Sequence, residues 1–268
     1  NNRFVDILRK WFEVKICSEP DFVIASVLGE PFEYLKYNCV RILYTGEPLS
    51  PDFNLFDYAI SFENIKFDDR HYRYPYPLYN HQRADALNET LTLEKAKQIL
   101  NEKKYFCNFI YSHPSANGDR EALLAEIASY KDVECVGSYK NNRNYTVKFG
   151  QEKIDFVKKC KFTIACESVS FPGFVTEKLR DAFAGFSIPI YLGDPNVENE
   201  YAPNAFINCN QSRYNFGEIL ERIREIDQND ELYLEMLMAQ KYADKDYLKK
   251  MDTGFEIFLY KIFSQNPN

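Results

Sequence analysis

Apolar residues in this chain fall in short unbroken runs, separated by stretches where they recur at helical spacing. That alternation predicts an α/β protein. Strands are expected at Phe12–Cys17, Phe22–Val27, Val40–Tyr44, Asp57–Ser61, Lys104–Tyr111, Val133–Val136, Phe162–Cys166, Ser187–Leu192 and Ala205–Asn208. Helical spacing predicts helices at Arg3–Phe12, with Phe4, Ile7, Leu8 and Trp11 on one side, and at Thr92–Leu100, Asp119–Tyr130 and Gln151–Lys159. Further helices are expected at Phe216–Ile226, Glu231–Gln240 and Phe255–Phe263, with a short one at Phe32–Tyr37.

The most informative stretch is Cys160–Asn208, CKFTIACESVSFPGFVTEKLRDAFAGFSIPIYLGDPNVENEYAPNAFIN, which reads as strand, loop, helix, strand. Ser168, Ser170, Pro172 and Gly173 are turn formers. Thr176 stands where an N-cap belongs, Leu179, Ala182 and Phe183 follow at helical spacing, and Gly185 stands where a C-cap glycine belongs. Such a unit buries a parallel strand pair and places its loop and helix N-terminus at the carboxyl edge of the strands, where open α/β sheets bind ligands.

Composition narrows the class. The chain has 268 residues, 45% hydrophobic and 27% charged, which suits one large or two ordinary globular domains. The net charge of −7 argues against a nucleic-acid surface. No apolar run approaches a membrane span, and NNRFVDILRK lacks a signal peptide's hydrophobic region. Seven cysteines without a CxxC pair read as free thiols in a reducing cytoplasm. The three histidines do not combine with carboxylates at metal-ligand spacing, and GxGxxG, GK[ST] and GxSxG are absent. The polar stretch after Ala84 marks a boundary. It predicts a first α/β domain over 1–90, a linker at 91–103 and a second domain over 104–250, with the helix in 251–268 packing back on the first.

Chemistry-bearing residues gather at predicted strand ends and helix starts. Glu177 and Lys178 open the helix after Thr176. A carboxylate there suits the helix dipole without any ligand, whereas an exposed lysine opposes it by about 0.3–1 kcal/mol. Arg120 repeats the oddity in the first turn of the helix from Asp119. Two cations at two helix N-termini of one parallel sheet suit a shared anion, and a diphosphate would fit. Glu47 follows strand Val40–Tyr44 in the turn Thr45-Gly46-Glu47-Pro48; most such glutamates are simply solvated. His71–Tyr79, HYRYPYPLY, predicts an edge strand passing into extended structure. Its tyrosines 72, 74, 76 and 79 suit core packing better than sugar stacking.

The block CES…GFVTEKLRDAFAGFSIPIYLGDP…Y.P.AFIN resembles the donor-binding signature of the α1,3/4-fucosyltransferases, FEN…YVTEK…A…PIYWG. RILYTGEPLSPDFNLFDYAISFENIKFDDRHYRYPYPLY resembles the acceptor-domain segment of bacterial members, and SHPSANGDR loosely echoes their NPNAPIR pattern. The resemblance implies two facing Rossmann-like domains of GT-B type, with an acceptor site in the first and a GDP-fucose site in the second. Members open on a strand that feeds the first helix, so the chain is expected to begin after it. The implied reaction moves L-fucose from GDP-fucose, with inversion, to O3 of N-acetylglucosamine in an N-acetyllactosamine-type glycan. Glu47 would be the general base, Arg120 and Lys178 would hold the diphosphate, and Glu177 would accept from ribose hydroxyls. Ser168 and Phe174 complete the expected donor site, standing where members commonly carry asparagine and tyrosine. No cofactor or metal is expected, and the acidic pair Asp68-Asp69 falls in the first domain, away from Arg120 and Lys178. The implied place is the cytoplasm, peripheral to the inner membrane in a full-length form, with roles in Lewis-antigen or O-antigen synthesis. Another nucleotide-sugar donor, or a catalytically silent glycan-binding protein, stay open as alternatives.

Overall fold

The computed structural model describes residues 2–75, 87, 90–211 and 215–265. The chain divides into two compact units, Asn1–Asn80 with Asp246–Asn268, and His81–Lys245.

The first unit opens on α1 (Arg3–Leu8), started by the Asn2 side chain, which accepts the Phe4 N–H at 3.1 Å. Four parallel strands follow, β1 (Phe22–Ser26), β2 (Val40–Tyr44), β3 (Tyr58–Ser61) and β4 (His71–Arg73), side by side in chain order. The C-terminal helix, Tyr247–Phe263, begins well before the expected Phe255. Its Phe255, Phe258, Leu259 and Ile262 bury against Phe4, Ile7, Leu8, Ile42, Ile60 and Tyr74. Each such side chain contributes about 1.5–3 kcal/mol on leaving water. The Tyr74 ring stacks on Phe255 with centroids 4.2 Å apart, and its hydroxyl donates to Asp252 at 2.5 Å. The Tyr72 hydroxyl donates to the Met251 carbonyl at 2.8 Å, so close that a Cβ at Gly254 would lie 2.2 Å from it. These two rings therefore serve packing. Tyr76 and Tyr79 lie outside the described residues.

Two local expectations change. Phe12–Cys17 is not a strand: Phe12 and Val14 pack on the core, but the sheet begins with β1 and Ile16 is 83% exposed. Alternation of side chains makes a strand only where a neighbour takes up the backbone hydrogen bonds. At Phe32–Tyr37 only a 3₁₀ turn forms, Glu33–Lys36, entered through Phe32 at φ 61°.

The second unit carries α2 (Leu93–Asn101), β5 (Tyr105–Phe109), α3 (Asp119–Ala128), β6 (Val133–Cys135), α4 (Gln151–Val157), β7 (Cys160–Cys166), α5 (Glu177–Ala184), β8 (Ile188–Leu192), β9 (Ile207–Asn208), α6 (Phe216–Gln228) and α7 (Asp230–Met238). Its strands are all parallel, in the order β6-β5-β7-β8-β9. Both faces are covered, so β7 is buried along almost its whole length, its polar Thr163 included. The stretch 91–103, expected as a linker, is mostly α2. Thr92 caps it, and Ala96 and Ile99 pack into this unit's core.

Gly185 does follow α5, though not as a left-handed cap, since its φ is −89°. A Cβ there would sit 2.3 Å from Cγ1 of Val157, so the glycine lets the ends of α4 and α5 approach. Among the described residues no helix is long and apolar enough to cross a membrane.

Candidate active site

In the second unit the carboxyl ends of β5 and β7 lead into the loops that start α3 and α5. The two loops are tied together at Tyr111. Its hydroxyl donates to the Ile164 carbonyl at 2.8 Å and accepts the Cys166 N–H at 2.7 Å. The Ser168 carbonyl accepts from the Ala116 N–H at 3.1 Å. A Cβ at Gly137 would lie 2.2 Å from the Tyr111 carbonyl oxygen, so a glycine there permits this close backbone approach.

Arg120, in the first turn of α3, is buried at 3% exposure. Its guanidinium donates to the carbonyls of His113 at 2.8 Å and Cys166 at 3.2 Å, and lies over the Tyr111 ring. Carbonyls and a π face stabilise a cation without neutralising it. Among the described residues Arg120 has no ion pair with a carboxylate, and its Nε has no hydrogen-bond partner.

Lys178 is anchored differently. Its ammonium donates to Thr176 Oγ1 at 2.9 Å and lies 3.2 Å from Glu167 Oε2 and 3.6 Å from Glu177 Oε1. Burial alone would lower its pKa, but Glu167 and Glu177 outweigh burial and raise it above the ordinary lysine value. Burial would raise the Glu177 carboxyl; Lys178 and Lys153 outweigh that and hold it below the usual glutamate value. Lys153, on α4, is itself buried and paired with Asp181 at 3.1 Å.

Arg120, Ser168, Glu177 and Lys178 line one cavity of about 190 Å³, floored by Asn108 and Thr163 and flanked by Tyr111, Phe149 and Lys153. Phe174 is buried and is not part of that wall. A larger hollow of about 640 Å³ lies along β9, α6 and α7. Among the described residues Glu198, Glu218 and Glu235 line it with one arginine, Arg222, a balance that suits an anion poorly. Among the described residues no three His, Cys, Asp or Glu side chains converge to hold a metal ion.

Glu47 belongs to the first unit. Thr45, just past the end of β2, extends the ladder by donating its N–H to the Ile60 carbonyl at 3.0 Å. Its hydroxyl accepts the Glu47 N–H at 3.1 Å and donates to the Glu47 carbonyl at 3.2 Å, while the Glu47 side chain is exposed. One other acidic residue of this unit, Glu63, is buried and accepts from Ser50 at 2.8 Å, and Ser61 shares a hydrogen bond of 2.9 Å with buried His71.

Among the residues of the site that carried no expectation from sequence are Glu167, Tyr111 and Lys153. Glu167 stood inside the CES triplet, where its flanks drew the attention. Tyr111 ends an apolar run and Lys153 is one of many helical lysines, so neither carried a local signal.

The comparisons bear on both units. Residues 1–81 match the family described as alpha-(1,3)-fucosyltransferase FucT N-terminal domain, and residues 100–255 match glycosyltransferase family 10 (fucosyltransferase) C-term. The chain is 34% identical over 248 residues to the alpha-(1,3)-fucosyltransferase FucT of Helicobacter pylori, covering 81% of this chain and 50% of that protein. It is 32% identical over 104 residues to the human 4-galactosyl-N-acetylglucosaminide 3-alpha-L-fucosyltransferase 9, covering 38% of this chain and 26% of that protein. It thus spans half the length of the bacterial relative or less than that of the human one. A crystal structure of an alpha1,3-fucosyltransferase with GDP-fucose superposes with a TM-score of 0.76 at 29% identity, covering 96% of this chain and 84% of that one. That likeness shows the GT-B fold class, with Rossmann-like α/β units. With a family match across 100–255, the chain belongs to glycosyltransferase family 10, the fucosyltransferases.

Proposed function

We propose that the chain transfers L-fucose from GDP-fucose to O3 of N-acetylglucosamine in an N-acetyllactosamine-type glycan, with inversion at the anomeric carbon. The observation that carries this reading is the pair of cations, Arg120 and Lys178, lining one cavity at the carboxyl edge of the second sheet. At about 190 Å³ the cavity is smaller than the roughly 300–1,000 Å³ of most small-molecule sites, so it takes part of a nucleotide sugar. The solved relative named with GDP-fucose and the human relative named for a galactosyl-N-acetylglucosaminide support the donor and the acceptor class.

As the bond from fucose to the diphosphate breaks, negative charge builds on the departing GDP. Arg120 and Lys178 stabilise that charge, and their positions are set before reaction, so little reorganisation is needed. Glu177 accepts from the ribose hydroxyls, Ser168 adds a polar group at the cavity wall, and Phe174 supports the loop from beneath. Glu47, in the first unit, takes the proton of the attacking hydroxyl. Charge neutralisation falls on side chains, with no metal or cofactor assigned to it. The enzyme would work in the cytoplasm, on glycans of the Lewis or O-antigen kind.

The test is incubation with N-acetyllactosamine and, in parallel, GDP-fucose, GDP-mannose or a UDP-sugar. An α1,3-fucosylated product with GDP-fucose alone is expected. Turnover with another donor overturns the donor assignment, and none with any donor overturns the enzyme reading.

A further inference from the structure

Thr176 stands at the N-cap of α5, yet its side chain makes no capping hydrogen bond. Both of its donors go elsewhere. Its N–H donates to Glu167 Oε1 at 2.8 Å, and its hydroxyl donates to Glu167 Oε2 at 2.7 Å. The same hydroxyl accepts from Lys178 at 2.9 Å, and the Lys178 ammonium also lies 3.2 Å from Glu167 Oε2. Glu167 thus holds one residue by two hydrogen bonds and a second by charge.

Glu167 itself has little freedom. It is 4% exposed, and its N–H donates to the Leu192 carbonyl at 2.8 Å. Gly193 presses on it so closely that a Cβ there would meet Glu167 Cγ at 2.5 Å. A carboxylate fixed this way can set the place of whatever it binds.

We propose that Glu167 is a positioning residue for the diphosphate: through Thr176 it aims the Lys178 ammonium into the cavity and draws the N-cap hydroxyl off the first turn of α5. This rests on the donor reading above and deepens it. The consequence for α5 follows from helix geometry. The first N–H groups of any helix lack partners within it, and an N-cap hydroxyl usually takes one. Here the hydroxyl is committed to Glu167 and takes none of those N–H groups, and Lys178 and Arg120 line the cavity beside that turn. Glutamine at 167 would keep the shape but lose the charge that anchors Lys178 and one of the two acceptors that Thr176 uses.

The experiment compares GDP and GMP affinity by calorimetry, and kcat and KM for GDP-fucose, in the wild type, Glu167→Gln, Glu167→Asp and Thr176→Val. Near-ultraviolet circular dichroism checks that each variant is folded. The wild type is expected to prefer GDP to GMP. Glu167→Gln should cut that preference at least 10-fold and lower kcat, because Lys178 acts on charge that develops in the transition state. Glu167→Asp, which keeps the carboxylate, should recover part of the preference. Thr176→Val should lose several-fold through the missing relay. A wild type that binds no GDP overturns the donor reading instead. A wild type that prefers GDP, with folded variants that keep that preference and kcat, overturns the positioning role. If Glu167→Gln does not fold, Thr176→Val decides by the same criterion.

Discussion

The guanidinium carbon of Arg120 lies 3.9 Å from the centre of the Tyr111 ring, and the hydroxyl of that ring ties β7 to the loop after β5. One side chain thus supports the cation and fixes the backbone around it. Lysine at position 120 would keep the charge but lose the flat stacking and the fork that reaches two carbonyls. Arg120→Lys is expected to lower kcat/KM for GDP-fucose by about 10²-fold, within the range for removing one donor from a charge-stabilising site. Tyr111→Phe strands the Cys166 N–H and the Ile164 carbonyl. It should cost about 1–3 kcal/mol, read as a lower urea midpoint at unchanged slope.

Gly193→Ala places a methyl 2.5 Å from Glu167 Cγ and 2.7 Å from the Tyr191 hydroxyl. Both neighbours are buried and hydrogen-bonded, so neither yields freely. A destabilisation of about 1–3 kcal/mol is expected, together with weaker GDP binding. Unchanged GDP affinity would show that Glu167 can shift without consequence.

Glu47→Gln retains shape and removes basicity. Turnover should fall by about 10²–10⁴-fold while GDP affinity stays that of the wild type. Full acceptor fucosylation by this variant would remove Glu47 as the base.

Lys103 donates to the carbonyls of Lys158 at 2.9 Å, Gly185 at 3.3 Å and Phe186 at 2.6 Å, joining the ends of α4 and α5. Lys103→Met leaves those carbonyls without their donor. Burial lowers the Lys103 pKa to about 7, so the amine is only partly charged near neutral pH, and a loss of about 1–3 kcal/mol is expected in urea unfolding from the carbonyls left unsatisfied.

His71 gives the first unit a pH dependence. Burial lowers its pKa, against the Ile65 carbonyl, which raises it, and with Arg73, which lowers it further. The folded value therefore lies below the unfolded 6.5, and the unfolded chain binds the proton more readily. This contribution to stability is present in full above pH 6.5 and is lost as pH falls from there through the lower folded value. Urea midpoints between pH 7.5 and 5.5 should fall more steeply in the wild type than in His71→Asn. Equal slopes would show that His71 is not the titrating group.

The order of strands and helices in the second unit, and the presence of Glu177 and Lys178 at a helix start, were legible in the chain. Apolar runs and helical spacing are local signals, and a Thr before a helix or a Gly after it marks the ends within a residue or so. The same logic misread Phe12–Cys17, because alternation states which side chains are apolar and says nothing of a pairing neighbour. It placed Thr176 correctly at the N-cap and gave no sign of the partner its side chain takes. The nearest capping amides are in the next turn, whereas Glu167 stands just past the end of β7, across the loop. Tyr74 is a similar case, since its stacking partner Phe255 lies on the C-terminal helix, far along the chain. Sequence by itself determined the order of elements in the second unit, most of their ends and the residue types at the strand edges, because those follow from backbone sterics and period. Tertiary structure alone decided which buried carboxylate meets which cation, because that depends on chain segments whose separation no local pattern records.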